Sequence, residues 1–334
     1  MSESTMMCVD MGTTRTRVWL IDGEKTWAAV SADFGVRNVS LGASREFLEE
    51  QLRVLMIQAI SDGALAGLRS SPTCIAAAGM ITSPSGLHPL AHLPAPAGAS
   101  ELAAAIALRS FFLNASLPMY LVPGVAVGGG RKTTEAVLAS DFMRGEETLI
   151  VGLLSKGLIS PNAAILNLGS HWKWIFLDEA SRITGIRTSL TGEMIHAIQS
   201  QTLIASALPQ EKPHAFDPEW LQLGAAEMAK NGLSRALFCV RLFEQAGIGS
   251  PQDRLAFLYG AFLQTEFDAL LSSGLTSKLD HVCLVGNIAI AAAWQNKLSA
   301  ANIASTILEE PERESAYLHG LATLLARHLS HSSA

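Results

Sequence analysis

The chain has 334 residues, 49% of them hydrophobic and 16% charged, enough apolar material for two ordinary domains, which excludes a disordered chain. Its formal net charge of -6 argues against a nucleic-acid partner. No run of about 18 uncharged apolar residues reads as a membrane span, and the start, MSESTMMCVD, lacks the basic region and long apolar core of a secretory signal.

Four cysteines, Cys8, Cys74, Cys239 and Cys283, sit in apolar runs with no CxxC pair. They read as reduced core thiols, and the cytoplasm is the expected compartment.

In chain order, residues 6–10, 17–21 and 26–32 read as strands. Asp10 closes the apolar run Met6, Met7, Cys8, Val9, where an unpaired carboxylate is costly to bury. Asp22-Gly23 is a hairpin signal. Phe47, Leu48, Leu52, Leu55 and Met56 give a helical stripe over 44–61. A short strand at 74–78, a loop rich in Pro and Gly at 79–98, an Ala-rich helix from Ser100 and a strand within 119–124 follow. After GVAVGGGRKTT a helix is expected near Met143.

The plan then repeats. AAILNLGS (163–170) and KWIFLD (173–178) read as strands, with a third at 183–189 and helices from Thr191. HVCLVGN (281–287) reads as a strand feeding a helix near Asn287, and 312–329 as an amphipathic helix. This predicts a disguised duplication with domains 1–142 and 143–334, the helix at 312–330 packing back on the first. The period is too long for a solenoid, and a cleft between the halves is the expected ligand site.

Three stretches carry candidate chemistry. In DMGTTRTR, Gly12 lets backbone approach a ligand, Thr13 and Thr14 offer donors for phosphate oxygens, and Asp10 suits a magnesium ion with retained waters. A plain polar hairpin turn explains the same residues. In NLGSHWKWI, Gly169 and Ser170 repeat that turn chemistry and Lys173 adds a cation. Singly, His171 reads as a surface ring and Lys173 as a solvated lysine. Two such turns facing one another would grip a polyphosphate. In SDFMRGEETL, Asp141, Arg144, Glu146 and Glu147 mark a loop-to-helix junction. Helix capping and solvation account for them; so do bidentate binding of a substrate carboxylate by Arg144 and proton acceptance by an acid. GGGRKTT has Arg131 where a phosphate loop needs Gly before Lys132, and GxGxxG, GxSxG and HExxH are absent from the sequence, which weakens zinc and serine-hydrolase readings.

Taken together, DMGTTRTRVW, GSHWKWI and DFMRGEET resemble the motifs of the 2-dehydro-3-deoxygalactonokinase family, within the sugar kinase, heat-shock ATPase and actin superfamily. The family's motifs are Asp-Trp-Gly-Thr-Thr/Ser, Gly-Thr-His-Ser-Lys-Trp and Asp-Val-Met-Arg-Gly-Glu-Glu-Thr. AAGMI, PAPAG, TGEMIHAI, LFCVR and LVGN follow in family order, and the resemblance spans about residues 6 to 325. MRGEET is specific, whereas Gly-Thr-Thr alone is not.

The resemblance implies an α/β protein of two ribonuclease-H-like (actin-like ATPase) domains flanking a nucleotide cleft, with ATP and Mg2+ as cofactors. It also implies transfer to the 6-hydroxyl of 2-dehydro-3-deoxy-D-galactonate. Carried over by motif, Asp10, Gly12, Thr13 and Thr14 form the first phosphate turn, with Asp10 toward the metal. Gly169, Ser170, His171 and Lys173 form the second, Gly286 and Asn287 lie toward adenosine, and Asp141, Arg144 and Glu146 lie on the acceptor side. The implied partners are the sugar acid and ATP, with no nucleic acid or membrane; a homodimer is compatible.

Departures are also visible. Met11 stands for the usual Trp, Trp172 stands for a small residue and predicts an indole crowding or capping the site, and SPSGLHPLAHL (83–93) replaces the family's aromatic elements near the acceptor. The alternatives are a kinase of a related 2-keto-3-deoxy acid, a silent nucleotide-binding sensor and, least favoured, a filament-forming actin relative.

Overall fold

The computed structural model describes residues 5–23, 25–128, 133–275 and 279–332; Arg131 and Lys132 of the glycine-rich stretch lie outside them. By contacts the chain divides into two compact units. The first comprises Met1–Asn162, Leu177–Ile186 and Pro311–Ala334, the second Ala163–Phe176 and Arg187–Glu310.

The first unit opens with β1 (Met6–Met11), β2 (Thr16–Asp22) and β3 (Lys25–Ala32), then α1 (Val36–Ser40) and α2 (Arg45–Leu65). The Ser44 hydroxyl caps α2 by accepting from Phe47 N, as an N-cap should. Its apolar face, Leu48, Leu52, Leu55, Met56 and Ala59, is buried in one core with Met7, Val9 and Met11 of β1. Next come β4 (Cys74–Gly79), β5 (Leu93–Pro94), α3 (Ala99–Ala104), β6 (Ala107–Phe112), β7 (Ser116–Leu121), β8 (Val125–Val127), α4 (Thr134–Leu138), β9 (Asp141–Met143) and α5 (Glu146–Ser155).

The helix expected near Met143 thus begins at Glu146, because Asp141–Met143 pairs antiparallel with Val125–Val127. The Ala-rich helix ends at Ala104. β6, whose mostly exposed residues give no alternation, then hairpins onto β7.

The second unit runs β10 (Ala164–Leu168), β11 (Trp172–Leu177), β12 (Ile183–Ser189), α6 (Thr191–Gln201), α7 (Pro218–Asn231), α8 (Leu233–Ala246), α9 (Pro251–Ser272), β13 (His281–Gly286), α10 (Ile288–Ala300) and β14 (Ala304–Leu308). α11 (Glu310–Ser332) returns almost entirely to the first unit.

The sheet orders show the duplication: β3-β2-β1-β4-β7-β6 in one sheet and β12-β11-β10-β13-β14 in the other. In both, the opening strand pairs antiparallel with its successor and parallel with a later strand. That later strand pairs parallel with the next one out. Parallel strands buried on both faces read as unbroken apolar runs, which is why MMCV, AAIL and VCLV are conspicuous in sequence.

α11 is seated on the first unit by close backbone contact. A Cβ at Gly152 of α5 would lie 1.7 Å from Ala316 O, and one at Gly320 would lie 2.1 Å from Thr148 O. Only glycines let the two helices cross so tightly. One turn earlier, the Tyr317 hydroxyl donates to Val9 O at 3.3 Å and its ring packs on Trp19 at 5.9 Å.

Candidate functional site

Asp10 is the penultimate residue of β1, and its register partner on β2 is Arg17. The Arg17 Nη2 donates to Asp10 Oδ2 at 2.8 Å. Burial pushes the Asp10 carboxyl above its usual value against the pull of Arg17 and Arg313, and the Glu146 charge pushes the same way. The turn that follows closes with Gly12 N donating to Arg15 O at 2.8 Å. Thr13 is half-buried and Thr14 exposed.

The start of α1 clasps this turn from behind. Val36 N and Arg37 N donate to Gly12 O and Thr13 O at 3.4 and 2.9 Å. A Cβ at Gly35 would lie 2.4 Å from Gly12 O and 2.6 Å from Thr13 O. The turn's carbonyls therefore point into protein.

The second unit repeats this construction. Asn167 occupies the place of Asp10, two residues before Gly169, and its cross-strand partner is Lys173. Lys173 is buried, at 7% exposure, not the solvated lysine of the simpler reading. Glu193 N, in the first turn of α6, donates to Ser170 O at 2.7 Å. A Cβ at Gly192 would lie 2.3 Å from Gly169 O and 2.7 Å from Ser170 O. His171 Nε2 stands 3.0 Å from Glu193 Oε2.

The parallel extends to the neighbouring strands. Gly79 pairs with Met11 and Gly286 with Leu168. Both hold positive φ, 87° and 143°, and a Cβ on either would meet the carbonyl of its strand partner, at 2.6 and 2.9 Å. Beside Gly79 the same imagined Cβ lies 3.1 Å from Asp10 Oδ1, so a glycine keeps that oxygen clear.

The sequence reading overlooked Arg17, Gly35, Gly79, Asn167 and Gly192. One signal was present: Gly12 to Gly35 and Gly169 to Gly192 are both 23 residues apart.

The acceptor-side candidates gather at the β9–α5 corner. Glu146 is the one of the three whose charge reaches Asp10. Asp141 Oδ1 accepts from Phe142 N at 2.7 Å. Arg144 donates through Nη1 to Thr82 Oγ1 at 2.8 Å and through Nη2 to Leu90 O at 2.7 Å; desolvation lowers its pKa and the Glu147 charge opposes that. Glu147, fully buried, turns both carboxylate oxygens back on Gly145 N at 2.8 Å.

Asn287 is committed to the scaffold. Its Oδ1 accepts from Ala289 N and Ile290 N, capping α10, and its Nδ2 donates to Pro213 O at 3.0 Å.

Trp172 does not crowd the second turn. It is 2% exposed and lies in the core of the second unit, edge-on to Trp294 at 6.0 Å, because strand alternation sends it to the face opposite Lys173. Met11 is likewise a core residue.

Among the described residues no group of three or more His, Cys, Asp or Glu is arranged to hold a metal. A single carboxylate such as Asp10, whose Oδ1 the bare Gly79 keeps clear, is the kind of ligand magnesium takes alongside waters and phosphate oxygens. No helix of the described residues is long and apolar enough to cross a membrane.

Comparison with known proteins accords with this architecture. The family profile for 2-keto-3-deoxy-galactonokinase matches residues 10–324. The 2-dehydro-3-deoxygalactonokinase of Escherichia coli K12 is 25% identical over 209 residues, which cover 63% of this chain and 61% of that protein. A candidate 2-dehydro-3-deoxygalactonokinase of Rhizobium meliloti is 26% identical over 88% of this chain and 89% of its own length.

Among solved structures, a candidate 2-dehydro-3-deoxygalactonokinase from Sinorhizobium meliloti superposes with a TM-score of 0.72 at 22% identity, covering 97% of this chain and 99% of that one. The activator of 2-hydroxyisocaproyl-CoA dehydratase from Clostridium difficile, solved with ADPNP, gives 0.50 at 11% identity over 99% and 98%. The fold is accordingly that of the actin-like ATPases, with two ribonuclease-H-like units. With the profile covering nearly all of its length, the chain belongs to the 2-keto-3-deoxy-galactonokinase family, named for phosphotransfer to an alcohol group of a sugar acid.

Proposed function

We propose that the protein is an ATP-dependent kinase that phosphorylates the 6-hydroxyl of 2-dehydro-3-deoxy-D-galactonate, with Mg2+. The observation that carries this reading is the repeated turn. Asp10-Met11-Gly12 and Asn167-Leu168-Gly169 share register, a cross-strand cation and a glycine-backed clasp. Phosphoryl transfer asks a protein mainly for alignment and charge neutralisation, and these turns present the means.

The roles divide as follows. Thr13 and Thr14 on one turn, which Gly12 lets approach closely, and Gly169, Ser170 and His171 on the other direct donors at phosphate oxygens, with Lys173 adding positive charge. Asp10 would hold the magnesium ion, which would supply neutralisation of phosphate charge. The backbone at Gly286 and Asn287 faces adenosine.

In the reaction the 6-hydroxyl oxygen forms a bond to the γ-phosphorus, the bond to the ADP oxygen breaks, and the hydroxyl proton passes to a carboxylate, Asp141 or Glu146. Removing one aimed donor of such a set lowers the rate on the order of 100-fold or more.

A kinase of a related 2-keto-3-deoxy acid is the second reading, favoured by the altered 83–93 segment next to Arg144. The silent-sensor reading loses its motive, because Trp172 is a core residue.

ADP release measured across a panel of 2-keto-3-deoxy sugar acids, with NMR location of the phosphate, tests the proposal. Turnover of the galactonate with phosphate on C6 is expected. ATP binding without ADP release for any sugar acid overturns it.

A further inference from the structure

The Arg144 guanidinium would ordinarily be assigned to the carboxylate of an acidic substrate, but a donor from each of its two terminal nitrogens is directed elsewhere. Nη1 reaches Thr82 Oγ1 and Nη2 reaches Leu90 O, at 2.8 and 2.7 Å, with His92 Nδ1 at 3.5 Å from Nη2. Those acceptors bracket the segment 83–89. The two ends of that segment are already zipped by His88 N to Ile81 O and Leu90 N to Thr82 O, both 3.0 Å. Thr82 in turn donates to Gly79 O at 3.1 Å, and Gly79 borders Asp10.

The path of the arginine stem is also prepared. A Cβ at Gly124 would lie 2.3 Å from Met143 O, 2.5 Å from Arg144 Cγ and 3.0 Å from His92 Cδ2, so a bare glycine lets the backbone of β9 approach and leaves room for the arginine stem beside it. The His92 ring, 5.1 Å from Phe142, forms the other wall of that space. Glu147 fixes the base of the arginine by holding Gly145 N with both oxygens.

We propose that Arg144 is a positioning residue: a latch that fixes residues 79–92 in the shape that receives the acceptor, and not a ligand of the acceptor carboxylate. Charge-assisted bonds to a buried hydroxyl and a main-chain carbonyl are the strong kind, and a planar fork spans two acceptors that a lysine cannot hold at once. Acceptor selectivity then resides in the geometry of 79–92.

The inference rests on the kinase reading for its kinetic arm only. Hydrogen exchange of the full-length protein without substrate follows the amides of 83–92 in wild type, Arg144→Met and Arg144→Lys. Steady-state kinetics with ATP and 2-dehydro-3-deoxy-D-galactonate, and calorimetric ADP binding, complete the set.

Arg144→Met is expected to speed exchange in 83–92 by about tenfold or more and to raise the acceptor KM by a similar factor. ADP affinity should stay within about twofold, and Arg144→Lys should restore part of the loss. Unchanged protection of 83–92 in Arg144→Met, with the KM effect confined to acceptors bearing a carboxylate, overturns the latch. Should wild type turn over no sugar acid, the kinase reading falls while the exchange data still decide this one.

Discussion

Alanine at Gly192 or Gly35 is the most direct probe of the repeated turn. The added Cβ at Gly192 would lie 2.3 Å from Gly169 O, and that at Gly35 would lie 2.4 Å from Gly12 O. An ordinary carbon–oxygen approach is about 3.4 Å, so each turn or its clasping helix must give by roughly 1 Å. The obstructing atoms are main chain, hydrogen-bonded to the clasping helix, and no side-chain rotation relieves them. Neither glycine has positive φ, so backbone strain does not confound the substitution. At Gly192, inside α6, alanine also favours helix over glycine by up to about 1 kcal/mol, which offsets part of any stability loss; Gly35 is an N-cap and gains no such offset.

A misplacement of about 1 Å at a reacting centre lowers rates near 100-fold, or about 2.7 kcal/mol in the barrier. We expect kcat/KM for ATP to fall by about that factor in both variants. Gly63→Ala, whose methyl meets side-chain tips alone, Leu20 Cδ2 at 2.7 Å and Leu68 Cδ2 at 3.5 Å, should keep wild-type kcat/KM for ATP. Steady-state kinetics with ATP varied, AMP-PNP calorimetry and a thermal melt provide the readouts. Both clasp variants within about threefold of wild type, at unchanged Tm, would refute the assignment of the turns to phosphate.

Asp10→Asn should abolish transfer yet not weaken the apo protein at neutral pH. The folded carboxyl titrates above its ordinary 3.8, so between that value and the raised one the folded state keeps a proton that the unfolded state has lost. Wild-type stability therefore declines as pH rises through that window, a decline the amide lacks. The Tm of the variant minus that of wild type should grow from pH 4 to pH 7, and a constant or shrinking difference would contradict this. Trp172→Ala should destabilise by about 3–5 kcal/mol in urea titration, since the ring is buried against Trp294. Asn287→Ala should lose about 1 kcal/mol of stability through its cap, with kcat near wild type; a selective loss of kcat would mean that the side chain meets ligand. Gly152→Ala, 1.7 Å from Ala316 O, should unseat α11 and destabilise by about 1–3 kcal/mol or more.

Much of this was legible because hydrophobic pattern and turn chemistry agreed. β1, β10 and β13 announce themselves as apolar runs ending in an acid or glycine. The third strand of the second unit falls at 183–189 as expected, and α2 and α11 lie within a few residues of their predicted bounds. β6 was missed since its exposed outer residues leave only Phe111 fully buried, which gives no alternation to detect. β9 was read as loop because three residues carry no period.

At the candidate site, chemistry-bearing residues were visible singly, but partnership was not. Nothing local says that Arg144 reaches back 62 residues to Thr82. Nor does a local signal say that Asn287 spends its amide on Pro213. Such assignments depend on long-range packing, which periodicity does not report.

The seat of α11 has a consequence for biogenesis. Ala316, Tyr317, Leu321 and Leu324 are buried, and the groove at Gly152 that receives their helix exists as soon as α5 has left the ribosome. At about 5–20 residues per second, translating the intervening second unit takes roughly 7–30 s. Through that interval the first unit waits with an uncovered apolar furrow. The nascent chain is thus expected to engage a holding chaperone that covers exposed apolar surface, and to release it only when its last helix emerges.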